Sequence, residues 1–139
     1  MTGDARLGVT VTHRRYVSYA DAHYAGELVD GAYVLAMFGD VATEMCIHTD
    51  GDEGLFASYS DVRFLAPVRA GDVLEASAIV VRVGRRSRDL ELEARVVCRG
   101  DSATGASAAR VLDEPVVVVR ARGTVVVPQP PVPDDHSPQ

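Results

Sequence analysis

The sequence predicts an α+β fold in which one long helix packs against a curved antiparallel sheet of about five strands. Two observations predict this class. Residues 32–47 repeat their apolar side chains at helical spacing, whereas most of the remaining chain up to residue 127 consists of β-branched stretches separated by turn residues. Because one helix cannot cover both faces of such a sheet, and because a free sheet edge invites pairing, we expect the chain to dimerise.

The elements follow in the order strand, helix, then four strands. Residues 9–19 alternate and are β-branched, so they are predicted to form the first strand. The helix is predicted to begin after Asp30, a residue type that caps helix N-termini, and to run from about Ala32 to Ile47 before the run TDGDEG. Its core-facing residues would be Val34, Leu35, Phe38, Val41, Ala42 and Met45. The later strands are predicted at Leu55–Leu65, Val73–Val83, Leu90–Arg99 and Pro115–Val127.

The domain organisation is simple. The chain has 139 residues, which suits one domain better than two. Residues 1–127 are predicted to form that domain, because every predicted helix and strand lies within them. The remaining residues, 128–139, are rich in proline and polar residues and are expected to be disordered.

Composition excludes several function classes. A net charge of −6 argues against general binding of nucleic acid. No apolar run is long enough to span a membrane, and the first residues lack the apolar core of a signal peptide, so a cytoplasmic protein is expected. Cys46 and Cys98 lack metal-ligand spacing and are expected to be buried thiols rather than a disulfide. We expect no metal and no redox cofactor.

The charges are unevenly distributed along the chain. From Tyr16 to Val62 there are nine Asp or Glu residues and no Arg or Lys, whereas from Arg63 to Val127 there are eleven Arg and eight acids. Every basic residue is arginine, whose guanidinium group binds phosphate or carboxylate through two parallel hydrogen bonds. The first half would then suit a cationic group and the second an anionic one, although a chance surface distribution explains the pattern about equally well.

Two carboxylates of the predicted helix are candidates for catalysis. Asp40 and Glu44 lie four residues apart and share a face with Tyr33 and Met37, which is predicted to lie opposite the core. No Lys or Arg on the helix offsets their charge. Two close carboxylates acquire different pKa values, which suits a general acid and a general base. The alternative interpretation is a plain solvated face.

The loop before the helix is a candidate for binding a carbonyl group. Gly26 and Gly31 would allow backbone N–H groups to point at a ligand near the helix N-terminus, where the oxygen of a polarised thioester could lie. His23 and Tyr24 belong to the same loop. A loop that only turns the chain, with a surface histidine, is the simpler interpretation of these residues.

The segment Gly84–Arg88 is a candidate for binding phosphate. It lies between two predicted strands and contains Arg85, Arg86 and Ser87, with Arg88 beside them. Guanidinium groups and a hydroxyl can grip a phosphate together. A solvated hairpin tip explains this composition at least as well.

Three stretches resemble hot-dog-fold enzymes that act on acyl-CoA thioesters: DAHYAGELVDGA (21–32), FGDVATE (38–44) and SDVRFLAPVRAGDVLE (60–75). The resemblance is closest to the β-alanyl-CoA or 3-aminobutyryl-CoA ammonia-lyases and extends from about Val17 to Glu75. His23 stands where the related thioesterases often carry asparagine, and Asp40 lies about two residues after their usual catalytic aspartate. Both departures argue against simple thioester hydrolysis.

The resemblance implies an active site at a dimer interface, where a helix N-terminus faces the thioester carbonyl, in dimers that pair further as dimers of dimers or trimers of dimers. It also implies an ammonia-lyase that interconverts a β-amino-acyl-CoA with the α,β-unsaturated acyl-CoA and ammonia. One carboxylate of Asp40 and Glu44 would remove the α-hydrogen and the other would hold the departing ammonium, while His23 or Tyr24 orients the thioester or the acids. An acyl-CoA thioesterase, a hydratase and a non-catalytic acyl-CoA-binding module are the alternatives.

Overall fold

The structure, a computed structural model, describes residues 3–128. The predicted disordered tail therefore lies outside the described residues, except for Pro128. The helices and strands are β1 (Thr10–Tyr16), the 3-10 helices Tyr19–Asp21 and Ala25–Glu27, α1 (Gly31–Asp50), β2 (Leu55–Phe64), β3 (Val73–Val83), β4 (Ser87–Gly100) and β5 (Ala109–Val126).

The five strands form one antiparallel sheet in the order β1-β3-β4-β5-β2, so β1 and β2 are its edges. The long helix α1 packs against one face of this sheet, with its most extensive contacts to β3 and β1. The order of the elements and the single long helix confirm the predicted α+β hot-dog fold. Both edges present backbone groups that another strand could pair with.

Local chemistry explains where α1 begins and ends. The side chain of Asp30 accepts a hydrogen bond from the Tyr33 N–H at 3.0 Å, as expected of a helix cap. At the other end Gly51 adopts a left-handed φ of 65° and its N–H donates to the Ile47 carbonyl at 2.9 Å. The helix extends to Asp50, beyond the predicted end at Ile47, because the chain leaves the helical conformation only at Gly51.

The core lies between α1 and the sheet. Val34, Phe38 and Val41 are buried there, as predicted. Met37 was predicted on the outer face, but it is fully buried, whereas Leu35 is only partly buried. The prediction for Met37 is wrong because the sheet curves around the helix and covers its β1 flank, which a helical wheel does not show.

Strand lengths also differ from the prediction. β1 is shorter because the N–H of Val17 donates to Asp72, outside the strand ladder, and a 3-10 helix follows. β4 and β5 are longer, since their hairpin continues through the pair Gly100↔Ala109. β4 also begins earlier than predicted, so Ser87 lies in the strand, paired with Val126, rather than in the preceding turn.

Both cysteines are free thiols, as expected. Cys46 is buried, and burial raises the pKa of its thiol to about 11. Cys98 is only partly buried, which differs from the expectation. Within residues 3–128, no cluster of three or more His, Cys, Asp or Glu side chains is arranged to hold a metal ion. No helix in that range has the length and apolarity to cross a bilayer.

Candidate active site

A cavity of about 480 Å³ opens beside the first turn of α1. Among the described residues, Asp30 is the one ionisable side chain in its lining, and the others are apolar or glycine. Those others are Val29, Gly31, Val34, Phe64, Leu65, Ala66, Pro67, Val68 and Val119. We call this space the N-terminal cavity.

Gly31 allows an aromatic ring to lie on the first turn of the helix. A Cβ atom built on Gly31 would lie 2.6 Å from Cε1 of Phe64, closer than such atoms approach. Phe64 is itself largely exposed at the end of β2. Gly31, predicted only to expose its backbone N–H, therefore also sets the shape of the N-terminal cavity.

The loop before α1 is fixed by backbone hydrogen bonds. The N–H groups of His23 and Tyr24 both donate to the Leu28 carbonyl, at 2.8 and 3.0 Å. Gly26 has a φ of 74° and Glu27 a φ of 61°. A positive φ is easy for glycine but costs about 1 kcal/mol for a residue with a side chain. The loop is thus held in one conformation at some energetic cost.

The same loop packs against the segment that follows β2. Val29 N–H donates to the Val68 carbonyl at 3.0 Å and Ala70 N–H donates to the Glu27 carbonyl at 2.8 Å. These bonds bring the two sides of the N-terminal cavity together. The rings of His23 and Tyr24 meet edge to face at 4.7 Å, and both side chains are exposed. Their predicted role in orienting a substrate stays a prediction.

Asp40 and Glu44 lie on the flank of α1 that faces β1, not on the side opposite the core. Glu44 Oε1 is 2.7 Å from Nε2 of His13, and its Oε2 is 3.0 Å from Nε2 of His48. Asp40 Oδ2 accepts a hydrogen bond from Nη2 of Arg15 at 2.8 Å. We call these five residues the α1–β1 seam. The helix itself carries no Lys or Arg, as the sequence shows, but β1 supplies Arg15 and His13 as partners of the two carboxylates.

The contacts of the α1–β1 seam hold Glu44 ionised. Hydrogen bonds from His48 and then from His13 lower the pKa of the Glu44 carboxyl below its ordinary value. The guanidinium of Arg15 also lies over the Tyr33 ring, 5.6 Å from its centre. His13 and Arg15 alternate with Val11 along β1 and face the helix with it. The sequence shows this alternation along β1, but it does not show which side of α1 these residues contact.

Within one chain the α1–β1 seam and the N-terminal cavity are separate. An α-helix rises about 1.5 Å per residue, so Asp40 and Glu44 lie about 14 and 20 Å along the axis from Gly31. Neither residue contributes to the lining of the cavity. The structure thus brings Asp40 and Glu44 together and places Gly31 with Asp30, but it does not unite the two groups.

The Gly84–Arg88 segment divides into two parts. Arg88 is buried, and its Nη2 donates to Oδ1 of Asp50 at 2.7 Å, so the suggestion that it binds phosphate is wrong. Ser87 Oγ accepts a hydrogen bond from Arg82 at 3.1 Å. Arg85 and Arg86 are exposed, and neither makes an ion pair with any residue in 3–128. They remain candidates for phosphate, at the C-terminal end of α1 where Asp50 lies.

Many of the unevenly distributed charges form ion pairs in the folded chain. Several arginines of the second half bind acids across neighbouring strands of the sheet. These pairs are Arg82–Asp89, Arg95–Glu75, Arg120–Glu93 and Arg122–Glu91. Seven of the eleven arginines from Arg63 to Val127 make ion pairs within residues 3–128, which restricts the candidates for binding an external anion.

Comparison with known proteins identifies the family. The sequence model of the thioesterase superfamily matches residues 28–101, which are more than half of the chain. The chain belongs to the thioesterase superfamily. The matched residues begin in the loop before α1 and end at the start of the β4–β5 connection, so they include Asp40, Glu44 and all of the N-terminal cavity lining except Val119.

Individual relatives differ in how similar they are to this superfamily member. The 3-aminobutyryl-CoA ammonia lyase of Acetoanaerobium sticklandii is 51% identical over 113 residues, covering 81% of this chain and 90% of the relative. The solved structure of β-alanyl-CoA:ammonia lyase from Clostridium propionicum matches with a TM-score of 0.81 at 36% identity, over 87% and 86% of the two chains. A hexameric thioesterase from Yersinia pestis has a TM-score of 0.69 at 19% identity, over 88% and 89%, and shows the shared fold.

Proposed function

We propose that the protein is an ammonia-lyase that interconverts a β-amino-acyl-CoA, such as β-alanyl-CoA or 3-aminobutyryl-CoA, with the α,β-unsaturated acyl-CoA and ammonia. The observation that carries this proposal is the 51% identity to the Acetoanaerobium sticklandii lyase, which extends over 90% of that protein. The structural match to a second lyase, with a TM-score of 0.81, supports the same activity.

The N-terminal cavity would bind the thioester. The first N–H groups of a helix lack intrahelical acceptors, and at α1 the Asp30 side chain takes up only that of Tyr33. The N–H groups of Gly31 and Ala32 can therefore donate to the thioester oxygen. Donors placed in this way stabilise the negative charge that develops on the oxygen when the α-hydrogen leaves. Gly26 shapes the loop on the same side of the helix.

Asp40 or Glu44 would act as the general base. In the eliminating direction the base takes the α-proton, the C–H electron pair forms the Cα=Cβ bond, and the Cβ–N bond breaks to release ammonia. The protonated base then returns the proton to ammonia, which leaves as ammonium. A positioned base of this kind contributes roughly 10²–10⁴-fold to the rate. No metal or redox cofactor takes part in these steps.

A second copy of the chain would complete the site. Asp40 and Glu44 lie too far from Gly31 on their own helix to reach a substrate in the same chain's cavity, at about 1.5 Å of rise per residue. We therefore place the base of one copy at the N-terminal cavity of another, in a homodimer or a larger assembly of dimers. Both sheet edges, β1 and β2, remain available for such pairing.

The coenzyme A phosphates would bind Arg85 and Arg86. These side chains lie near the C-terminal end of α1, so they too would approach the N-terminal cavity from another copy. Ser87 would add a hydroxyl, although it already accepts from Arg82. A cytoplasmic location belongs to the same proposal.

The test is to incubate the protein with crotonyl-CoA or acrylyl-CoA and ammonium, and to follow the enoyl-thioester absorbance together with free thiol. We expect the absorbance to fall only when ammonium is present, with no thiol released. Membership of the thioesterase superfamily favours hydrolysis as the second candidate, and release of thiol would identify it. Loss of absorbance without ammonium would identify a hydratase, and no change in either signal would leave a binding module.

A further inference from the structure

We propose that Asp30 binds the β-ammonium group of the substrate, in addition to capping α1. This inference rests on the proposed function, because it assigns a residue to one group of the β-amino-acyl-CoA. It concerns the lining of the N-terminal cavity, where Asp30 is the one ionisable side chain among the described residues.

Asp30, Asp40 and Glu44 differ in the partners of their carboxylate oxygens. Asp30 Oδ1 accepts the Tyr33 N–H at 3.0 Å, while its Oδ2 accepts no hydrogen bond from residues 3–128, and no Arg or His of that range forms an ion pair with it. By contrast Asp40 is paired with Arg15, and both oxygens of Glu44 are occupied by histidines. Asp40 also has one free oxygen, but its charge is offset by Arg15. Among these three carboxylates, Asp30 is the one without a cationic partner in residues 3–128, so its charge is open to a cationic ligand.

The surroundings of Asp30 favour a cationic partner. The remaining lining of the N-terminal cavity is apolar side chains and glycine, and Asp30 is itself partly buried. A carboxylate beside apolar groups loses part of its hydration, which a cationic partner restores as an ion pair. From the lining of its own chain, an ammonium group in this cavity would meet one negative charge and no positive side chain. A neutral or anionic acyl group would gain nothing from the same carboxylate.

The length of the substrate restricts where its ammonium group can lie. In a β-amino-acyl thioester the nitrogen is three bonds from the carbonyl carbon, which is about 4 Å at bond lengths near 1.5 Å. The group that binds the ammonium must therefore lie next to the N–H groups that bind the thioester oxygen. Asp30 immediately precedes Gly31, so it meets this requirement within a single chain.

The test uses Asp30→Asn. Asparagine caps helices about as well as aspartate, so its Oδ1 can keep the hydrogen bond from the Tyr33 N–H while the negative charge is removed. We expect kcat/KM for 3-aminobutyryl-CoA to fall at least about 30-fold, as when one partner of a desolvated charge pair is removed. Binding of crotonyl-CoA, which has no ammonium group, should change less than about threefold. Asp21→Asn is the matched control, because Asp21 lies in the preceding loop and does not line the cavity.

The outcomes separate this inference from the proposed function. If the wild-type protein is active and Asp30→Asn keeps its kcat/KM for 3-aminobutyryl-CoA, only the inference is overturned. If Asp30→Asn weakens crotonyl-CoA binding as much as 3-aminobutyryl-CoA binding, Asp30 shapes the cavity and does not recognise ammonium, and the inference is again overturned. A wild-type protein without lyase activity overturns both. Asp30→Ser, which also caps helices, replaces the first variant if that one fails to fold.

Discussion

The first turn of α1 and the α1–β1 seam both present carboxylates on the same helix, but their surroundings differ. In the seam, Asp40 and Glu44 are held by a guanidinium and two imidazoles. At the first turn, Asp30 has one oxygen in a helix cap and the other beside an apolar cavity. The carboxylates of the seam have their cationic partners within the chain. The Asp30 carboxylate has none there, and by our proposal its partner is the ammonium group of the substrate.

This difference shows why the partners of a carboxylate matter as much as its position on a helix. An ion pair fixes the ionisation and the orientation of a side chain, and so prepares it to exchange a proton with a substrate that arrives at a fixed place. A carboxylate without such a pair can instead contribute its charge to binding. The seam suits proton transfer and Asp30 suits recognition of an ammonium group.

The largest expected effect comes from the seam. Glu44→Gln or Asp40→Asn should reduce turnover by at least about 10²-fold, because each removes a candidate general base. Initial rates with crotonyl-CoA and ammonium measure the effect, and circular dichroism checks that the variants remain folded. Glu53→Gln is the control, since Glu53 is an exposed-loop acid outside both the seam and the N-terminal cavity. Near-normal rates in both variants would mean that neither carboxylate is the base.

A buried ion pair at the other end of α1 shows how much a paired carboxylate contributes to the free energy of unfolding. Arg88 is 2% exposed and binds Asp50, whose pKa is raised by burial but lowered overall by hydrogen bonds from Arg88 and Thr49. Arg88→Met would leave that carboxylate without its main partner. We expect the free energy of unfolding to fall by about 3 kcal/mol.

The control for Arg88 is Arg82→Met, which breaks an exposed pair with Asp89 and should lower the free energy of unfolding much less. Both values come from urea denaturation of the two variants. Equal losses in the two variants would show that burial does not strengthen the dependence of Asp50 on its partner.

The shape of the N-terminal cavity can be tested with Gly31→Ala. The new Cβ would lie 2.6 Å from the Phe64 ring in its present position, so the ring must turn and narrow the cavity. We expect kcat/KM to fall about tenfold, which corresponds to about 1.4 kcal/mol. The double variant Gly31→Ala with Phe64→Ala should recover most of this loss, because the obstructing ring is gone. If the double variant stays as impaired as Gly31→Ala, the ring is not what limits the site.

The smallest effect concerns pH and Glu44. Hydrogen bonds from His48 and His13 lower the pKa of this carboxyl from 4.5, so its contribution to stability is present above that value and is lost as the pH falls through the lowered pKa. The Tm values of the wild-type protein and Glu44→Gln should therefore converge as the pH is lowered through and below the lowered pKa of this carboxyl. A difference in Tm that grows in acid would contradict this assignment.

The sequence predicts elements that depend on near neighbours. Asp30 was correctly predicted as the helix cap because its residue type and the following helical pattern are local. The side chains that close the seam are not local: His13 and Arg15 belong to a strand separated from Asp40 by 25 residues or more. Burial of Met37 depends on how the sheet curves around α1, which residue spacing does not determine.

Two further features show the same limit in the candidate site. Arg88 was grouped with Arg85 and Arg86 because the three are adjacent, but its partner Asp50 is 38 residues away. The sequence predicts only a capping role for Asp30, because the segment from Phe64 to Val68, which forms the cavity with it, is brought near by the fold. The resemblance to the lyases nevertheless predicted the fold and the family correctly, because it depends on runs of residues rather than on contacts.

The most direct test of the account is to co-express Asp30→Asn with Glu44→Gln and assay the mixed assemblies. Random pairing makes about half of the dimers mixed. If the N-terminal cavity of one copy works with the seam of another, each mixed dimer has one intact site and one site with both changes. About a quarter of wild-type activity should then return. Each variant alone should remain nearly inactive. No recovery in the mixture, with mixed assemblies shown to form, would contradict a site shared between copies.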